Sequence, residues 1–297
     1  RIEWLYIPDS ATAAAALSAG EIDWWQQLPP DFIPLVQADP AITVATTDPL
    51  GSVGVLRFNH LLPPFDKPQM RQALLYAIDQ NDIMTALAGD HRNWRNCFSY
   101  YTCGTPLAND AGNAALKGKR DLARAKALMA EAGYKGERIV LLSATDQYIV
   151  NSQALVVAEE LRQLGLNVDL QSMDWGTLIT RRTSKEGIDK GGWNIFFTWL
   201  VGPDMANPAL NFALRASGEK AWFGWPSDPK LEALRSSWLE APDLGTQKTL
   251  AAAIQEQAFL TVPYIPTGQF FIPTAYRNSL KGVINSPVVF MWNVEKQ

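Results

Sequence analysis

Between Asp121 and Trp199 the chain alternates helix-patterned and strand-patterned segments at a spacing of about thirty residues, and this alternation restricts the fold more than any other feature. Asp121 is placed to cap a helix over 122–132, and Gly133 is placed to stop it. Residues 138–143 form a short apolar run with the reading of a strand. In 148–164, Val150, Ala154, Val157, Ala158, Leu161 and Leu164 fall on one helical face. Residues 167–173 read as a strand, 175–185 as a helix and 195–199 as a strand. Strands that alternate with helices in this way require an α/β sheet layered with helices.

The flanking segments carry the same grammar. Residues 2–7, 21–25, 42–46 and 53–58 read as strands, and 10–19 and 30–38 as helices capped by Asp9 or Ser10 and closed by Asp39-Pro40. Met70, Ala73, Leu74, Ala77 and Ile78 define the buried face of a helix that starts at Pro68. Asp79 caps the next helix, with Asp82 three residues on as an approximate capping box. Residues 89–118 have little periodicity and read as a long loop. After Pro208 the pattern predicts a short helix to Leu214, an aromatic turn at Trp222-Phe-Gly-Trp225, helices over 228–239 and 244–260, and strands over 269–272 and 288–292.

Composition narrows the function. The 297 residues carry a net charge of −4 with no basic run, which argues against nucleic acid as a partner. No apolar stretch approaches the ~20 residues of a membrane span. Phosphate-binding glycine loops, a Gly-x-Ser-x-Gly nucleophile turn, His-Glu-x-x-His and calcium-loop patterns are absent, so no catalytic or metal-ligating residue is assigned and no cofactor is expected. The two histidines, His60 and His91, read as solvated loop residues. Cys97 and Cys103 are the only cysteines. A short disulfide, contributing roughly 2 kcal/mol through loop closure, is the favoured reading and fits an exported, oxidising setting; two buried thiols are the alternative.

The candidate site lies around 192–208. An apolar run ends on Trp199, breaks at Gly202-Pro203 and releases Asp204 into a loop, which supplies an aromatic wall and one fixed acid. The alternative is a core tryptophan and a loop cap.

Several segments resemble one family when taken in order. They are Leu17-Ser-Ala-Gly-Glu-Ile-Asp23, Leu56-Arg-Phe-Asn59 with Pro64-Phe-Asp66 and Met70-Arg71 to Ile78-Asp79, the helix from Asp121 to Gly133, Leu161 to Val168, Trp199 with Asp204 and Pro208, Trp222-Phe-Gly-Trp225 with Asp228, and Val262-Pro-Tyr-Ile-Pro266. Together they resemble the extracytoplasmic solute-binding proteins of peptide-type ABC importers, family 5. Two departures stand out: Thr198 replaces a family glycine before Trp199, and the loop to Asp204 is longer. The family also carries a large N-terminal portion that these residues do not include, so the chain is expected to be the C-terminal part of a longer protein.

The resemblance implies a periplasmic-binding-protein-like, two-lobed (type II) clamp in which the N-terminal part of the first lobe is missing. Residues 1–55 and 272–297 would belong to lobe I, and 56–271 to lobe II. It further implies a ligand held by Asn59 at the lobe crossing, by Trp199, Trp222 and Trp225 as walls and by Asp204 as the acid. The implied partners are a peptide or other small solute and a membrane permease. The implied location is periplasmic or otherwise extracytoplasmic, by export, and the full-length protein would be a monomer. The competing readings are a hydrolase built on paired carboxylates and a sensor or chaperone binding module.

Overall fold

A computed structural model describes residues 1–297. The Asp9 carboxylate accepts the Thr12 N–H at 2.7 Å and starts helix α1 (Ser10–Ala19), which Gly20 ends at φ 78°. Strand β1 (Trp24–Trp25), helix α2 (Ile33–Gln37) and strand β2 (Ile42–Ala45) follow. The chain then crosses through 46–51 into β3 (Ser52–Phe58), α3 (Pro68–Leu75), α4 (Gln80–Ala88), β4 (Trp94–Arg95), α5 (Ala114–Lys117), α6 (Leu122–Glu131), β5 (Arg138–Ala144), α7 (Tyr148–Leu164), β6 (Asn167–Met173), α8 (Trp175–Arg181), β7 (Ile195–Val201), α9 (Pro229–Leu239), α10 (Leu244–Thr261) and β8 (Tyr264–Phe270). It returns through 271–273 to β9 (Thr274–Arg277) and the short pair β10 (Leu280–Lys281) and β11 (Glu295–Lys296). No helix is long and apolar enough to cross a membrane.

Two main sheets result. The larger has six strands in the order β4-β8-β3-β7-β5-β6, and the smaller has three in the order β1-β9-β2. In the larger sheet β3 runs antiparallel to both β7 and β8, whereas β5 is parallel to β6 and β7. Each sheet has its own core, of 58 and 6 buried apolar residues respectively, so most of the stabilising burial lies in the larger unit. All of β3 belongs to the larger sheet, and the chain passes from the small sheet to the large one between Ala45 and Ser52.

β3 is held by a buried cation. Arg57 is fully buried, and its guanidinium donates to the carbonyls of Phe223 at 2.6 Å, Ala213 at 2.7 Å, Pro263 at 3.0 Å and Trp222 at 3.2 Å. Burial pushes its pKa down to about 9. Arg71, on α3, does the same for the segment that follows α10, donating to the carbonyls of Thr261, Val262 and Phe65. The carbonyl acceptors explain why two cations tolerate the core without a carboxylate partner. His60, expected in solvent, is half-buried with Nε2 3.2 Å from the Pro263 carbonyl oxygen.

Some expected elements do not form. Residues 2–7 have strand composition but no neighbouring strand, and Trp4 and Tyr6 lie exposed. Of 21–25 only Trp24 and Trp25 pair, with β9. Residues 208–214 form only a 3₁₀ turn, Phe212–Leu214, and 288–292 find no partner. The strand expected at 269–272 begins earlier, at Tyr264. Pro266 is accommodated because the β3–β8 register shifts between Gly54 and Val55. Asp79 caps α4 through the Asn81 N–H, but the reciprocal acceptor for its own N–H is Glu160 on α7 and not Asp82.

Glu160 is buried, and burial, which outweighs the Arg120 guanidinium at 3.9 Å and is reinforced by Asp79 and Asp82, raises its pKa from 4.5 to about 8. The native state therefore holds a proton that the unfolded chain lacks between about pH 4.5 and 8. Glu160's contribution to stability falls as pH rises through that window, and Glu160→Gln should flatten the fall, as read from urea midpoints at pH 5, 6.5 and 8. For Arg57, replacement by Lys removes the fork that serves four carbonyls; we expect a loss of about 2–4 kcal/mol by chemical denaturation.

Candidate ligand-binding cleft

In a parallel α/β sheet, ligands bind beyond the carboxyl ends of the strands. Here that edge gathers the ends of β5, β6 and β7 and both segments that cross to the small sheet. Trp199 lies there, paired with Gly54 across β3, half-buried, with its ring centroid 5.9 Å from that of Trp175. Asp204 follows in the 3₁₀ turn Gly202–Met205, and its half-buried carboxylate makes no hydrogen bond or ion pair within the protein. The structure thus brings Trp199 and Asp204 to the same edge.

The Asp204 turn is bolted on two sides. Gly202 donates its N–H to the Gly51 carbonyl at 2.7 Å, and a Cβ at Gly202 would stand 2.6 Å from the Leu50 Cβ, so only glycine allows this approach to the crossing segment. On the other side Thr102 donates Oγ1–H to the Gly202 carbonyl at 2.6 Å and N–H to the Met205 carbonyl at 3.2 Å. Thr102 belongs to the loop closed by the Cys97–Cys103 disulfide, with S–S 2.09 Å and Cα–Cα 5.7 Å. That loop is tied further by Arg95, which donates to the Cys103 carbonyl and to Gln269 Oε1, while Gln269 Nε2 donates to the Leu50 carbonyl. Buried Gln255 of α10 adds acceptors and donors to Ser99, Tyr100, Asn109 and Ala111.

The other proposed contacts lie elsewhere. Asn59 is not at the crossing but at the opposite end of β3. It is fully buried, with Nδ2 donating to the Trp193 carbonyl at 3.0 Å and Oδ1 accepting the Leu61 N–H at 3.0 Å. Trp222 and Trp225 sit at that same end, because the turn carrying them lends its carbonyls to Arg57. Arg57 pairs with Phe196 and Gly54 with Trp199, a separation of ~10 Å along the strand at 3.3 Å per residue. Trp222 is half-buried against Phe196, Phe212 and Phe223, and Trp225 is buried at φ 51°. A polar recess of about 310 Å³ also opens beside the crossing, lined by Thr46, Thr47, Asp48, Pro49, Arg92, Phe271 and Asn285.

Sequence reasoning missed Arg182. Its guanidinium carbon lies 4.9 Å from the Phe223 ring centroid, 5.5 Å from Trp222, 5.6 Å from Phe196 and 5.7 Å from Trp175. It therefore bridges the Trp175–Trp199 pair to the Trp222 group. The available signal was its seven-residue spacing from Trp175, two helical turns on one face.

The profile of the bacterial extracellular solute-binding proteins, family 5 (middle portion), matches residues 1–222. The chain belongs to that family. Among curated members of family 5, one from Sinorhizobium fredii, named "Probable peptide ABC transporter periplasmic-binding protein", is 38% identical over 290 residues, covering 98% of this chain and 55% of the relative. The chain thus spans about half the length of that family 5 relative. Two solved structures share the fold: AgaA from A. tumefaciens R10 in complex with agropinic acid (TM-score 0.82, 21% identity, 99% of this chain and 60% of that one), and DppA from Helicobacter pylori in complex with the peptide STSA (TM-score 0.80, 19% identity, 98% and 56%). Both are periplasmic binding proteins, so the family 5 fold is that of the two-lobed clamp.

The anchoring of the Asp204 turn is open to test. Thr102→Val should cost about 1 kcal/mol and accelerate exchange of the Gly202 amide hydrogen, read by NMR; unchanged exchange at Gly202 would remove the disulfide loop from the support of this turn.

Proposed function

We propose that the protein, at full length, holds a small organic solute between two lobes without altering it and delivers it to the permease of an ABC importer. The observation that carries this reading is Asp204: an acid without a protein partner, half-buried at the same sheet edge as Trp199, on a turn fixed to the crossing segment. An acid so placed can accept a ligand's ammonium or hydroxyl as a charge-assisted hydrogen bond while the indole covers apolar surface. Closure follows if the ligand touches both lobes only when they approach, which shifts the population toward the closed state.

Membership of family 5 supports binding in place of catalysis, and the relative's name supports a peptide-like solute and an extracytoplasmic location. The disulfide fits an oxidising compartment. Trp199 and Asp204 are the contacts we assign to the ligand. Asn59 and Trp225 we assign to the support of β3's far end, where the Asn59 amide and the Trp225 ring are engaged; Trp222 lends its carbonyl to Arg57 there and keeps part of its ring exposed.

A thermal-shift screen of the full-length protein against di- and tripeptides, opines and sugar acids should reveal a solute that raises Tm. Isothermal titration of that solute should then show Asp204→Asn and Trp199→Ala each weakening binding by about ten- to a hundredfold, or roughly 1.4–2.8 kcal/mol, with the ligand-free Tm unchanged in Asp204→Asn and lowered in Trp199→Ala, which also loses its packing on Trp175. Unweakened binding in both variants would remove the site from these residues.

A further inference from the structure

Two guanidiniums stand against the same indole. Arg57 lies 5.2 Å from the Trp222 centroid and Arg182 lies 5.5 Å from it. Their circumstances differ in one respect. Arg57 donates to four carbonyls. Arg182 donates to nothing: its Nε is buried without a hydrogen-bond partner, and no carboxylate lies within ion-pair distance of its side chain. Its two Nη nitrogens are not closed off in this way and remain open to solvent.

The surroundings are those of a small open box. Phe196 is buried and forms the floor, while Trp175, Trp222 and Phe223 are half-buried and form walls that reach solvent. Ring faces attract a cation and strip it of water, but they supply no acceptor for its N–H groups. A half-desolvated guanidinium with free donors is complementary to a planar anion. A carboxylate would take the outward N–H groups as charge-assisted bonds, and flat or apolar carbon next to that carboxylate would lie against the indoles. The box is continuous with the cleft edge through Trp175, whose ring stands 5.9 Å from that of Trp199 and whose backbone N–H donates to the Asp146 carboxylate at 2.8 Å.

We propose that Arg182 and the rings of Trp175, Trp222, Phe223 and Phe196 form a binding site for the carboxylate of an organic acid, which makes acidic, ring-bearing or apolar solutes the ligand class of this protein. Its meaning for transport rests on the solute-binding reading above; its physical content does not. The counterpart reading is that Arg182 is a packing element only, a cation that glues four rings together and meets no anion.

Benzoate and benzamide separate these readings, since they share shape and ring and differ in charge. In the full-length protein, the Arg182 Nε–H signal and the tryptophan fluorescence should respond to benzoate with millimolar affinity and to benzamide at least tenfold more weakly. Arg182→Gln should abolish the difference, and Arg182→Lys should retain part of it. If Arg182→Gln disturbs the fold, the benzoate–benzamide pair in the unaltered protein still decides. Equal response to both probes, no response to benzoate at 50 mM, or a preference that survives Arg182→Gln in a folded variant would overturn the site. A solute that raises Tm in the screen while benzoate fails would leave the solute-binding reading standing and remove Arg182 from it; benzoate binding with no stabilising solute found would do the reverse.

Discussion

A single buried guanidinium decides where three distant parts of the chain meet. Arg57 lies in the middle of the sequence of contacts that fixes the sheet, and its four acceptors come from the segment at Ala213, the turn at 222–223 and the entry to β8 at Pro263. A cation in the core is tolerated only if its donors are satisfied, and carbonyl oxygens can do this only when loops present them in the right direction. The positive φ of Trp225 and the close approach of Gly224, whose missing Cβ would stand 2.1 Å from the Phe58 carbonyl oxygen, are consequences of that requirement. Arg71 repeats the arrangement one layer away, at Thr261 and Val262.

The far end of β3 is therefore rigid by construction, and the near end inherits its geometry. Gly54 permits Thr267 and Gln153 to meet across the strand, where Thr267 donates to Gln153 Oε1 at 2.6 Å. From there the ladder runs to Ser52, to the crossing segment and to the Asp204 turn, which glycines 51 and 202 bring within hydrogen-bonding reach. A binding acid benefits from such support because its position is set before the solute arrives, so little ordering cost attends binding.

Much of this was legible in residues alone, and the reasons are local. Asp79, Asp121 and Asp228 announced helix starts because an N-cap needs only its own next three residues. Helix α7 and strand β6 keep the limits that their residues imply, since α7 presents a full buried face to the sheet and β6 pairs with β5 along its whole length. Residues 2–7 illustrate the opposite case: strand composition records a capacity to pair, and pairing needs a neighbour that composition does not reveal. The same limit governed the tryptophans. Trp222 and Trp225 were recognisable as an aromatic turn, but their place depends on the register of Arg57 with Phe196, a long-range fact. Arg182 escaped because nothing in its flanking residues tells a solvated arginine from one enclosed by rings of two other segments.

The division into two sheets has a mechanical side. Only two strips of backbone, 46–51 and 271–273, join the units, and they run next to each other. The second strip is pinned at both ends, by Phe271 N–H on the Asn93 carbonyl and by Leu28 N–H on the Pro273 carbonyl. A change of torsion along these two strips would re-aim the small sheet against the larger one, like a door on two pins. The Asp204 turn is fastened to one of those pins, so any swing of the door is felt first at the acid.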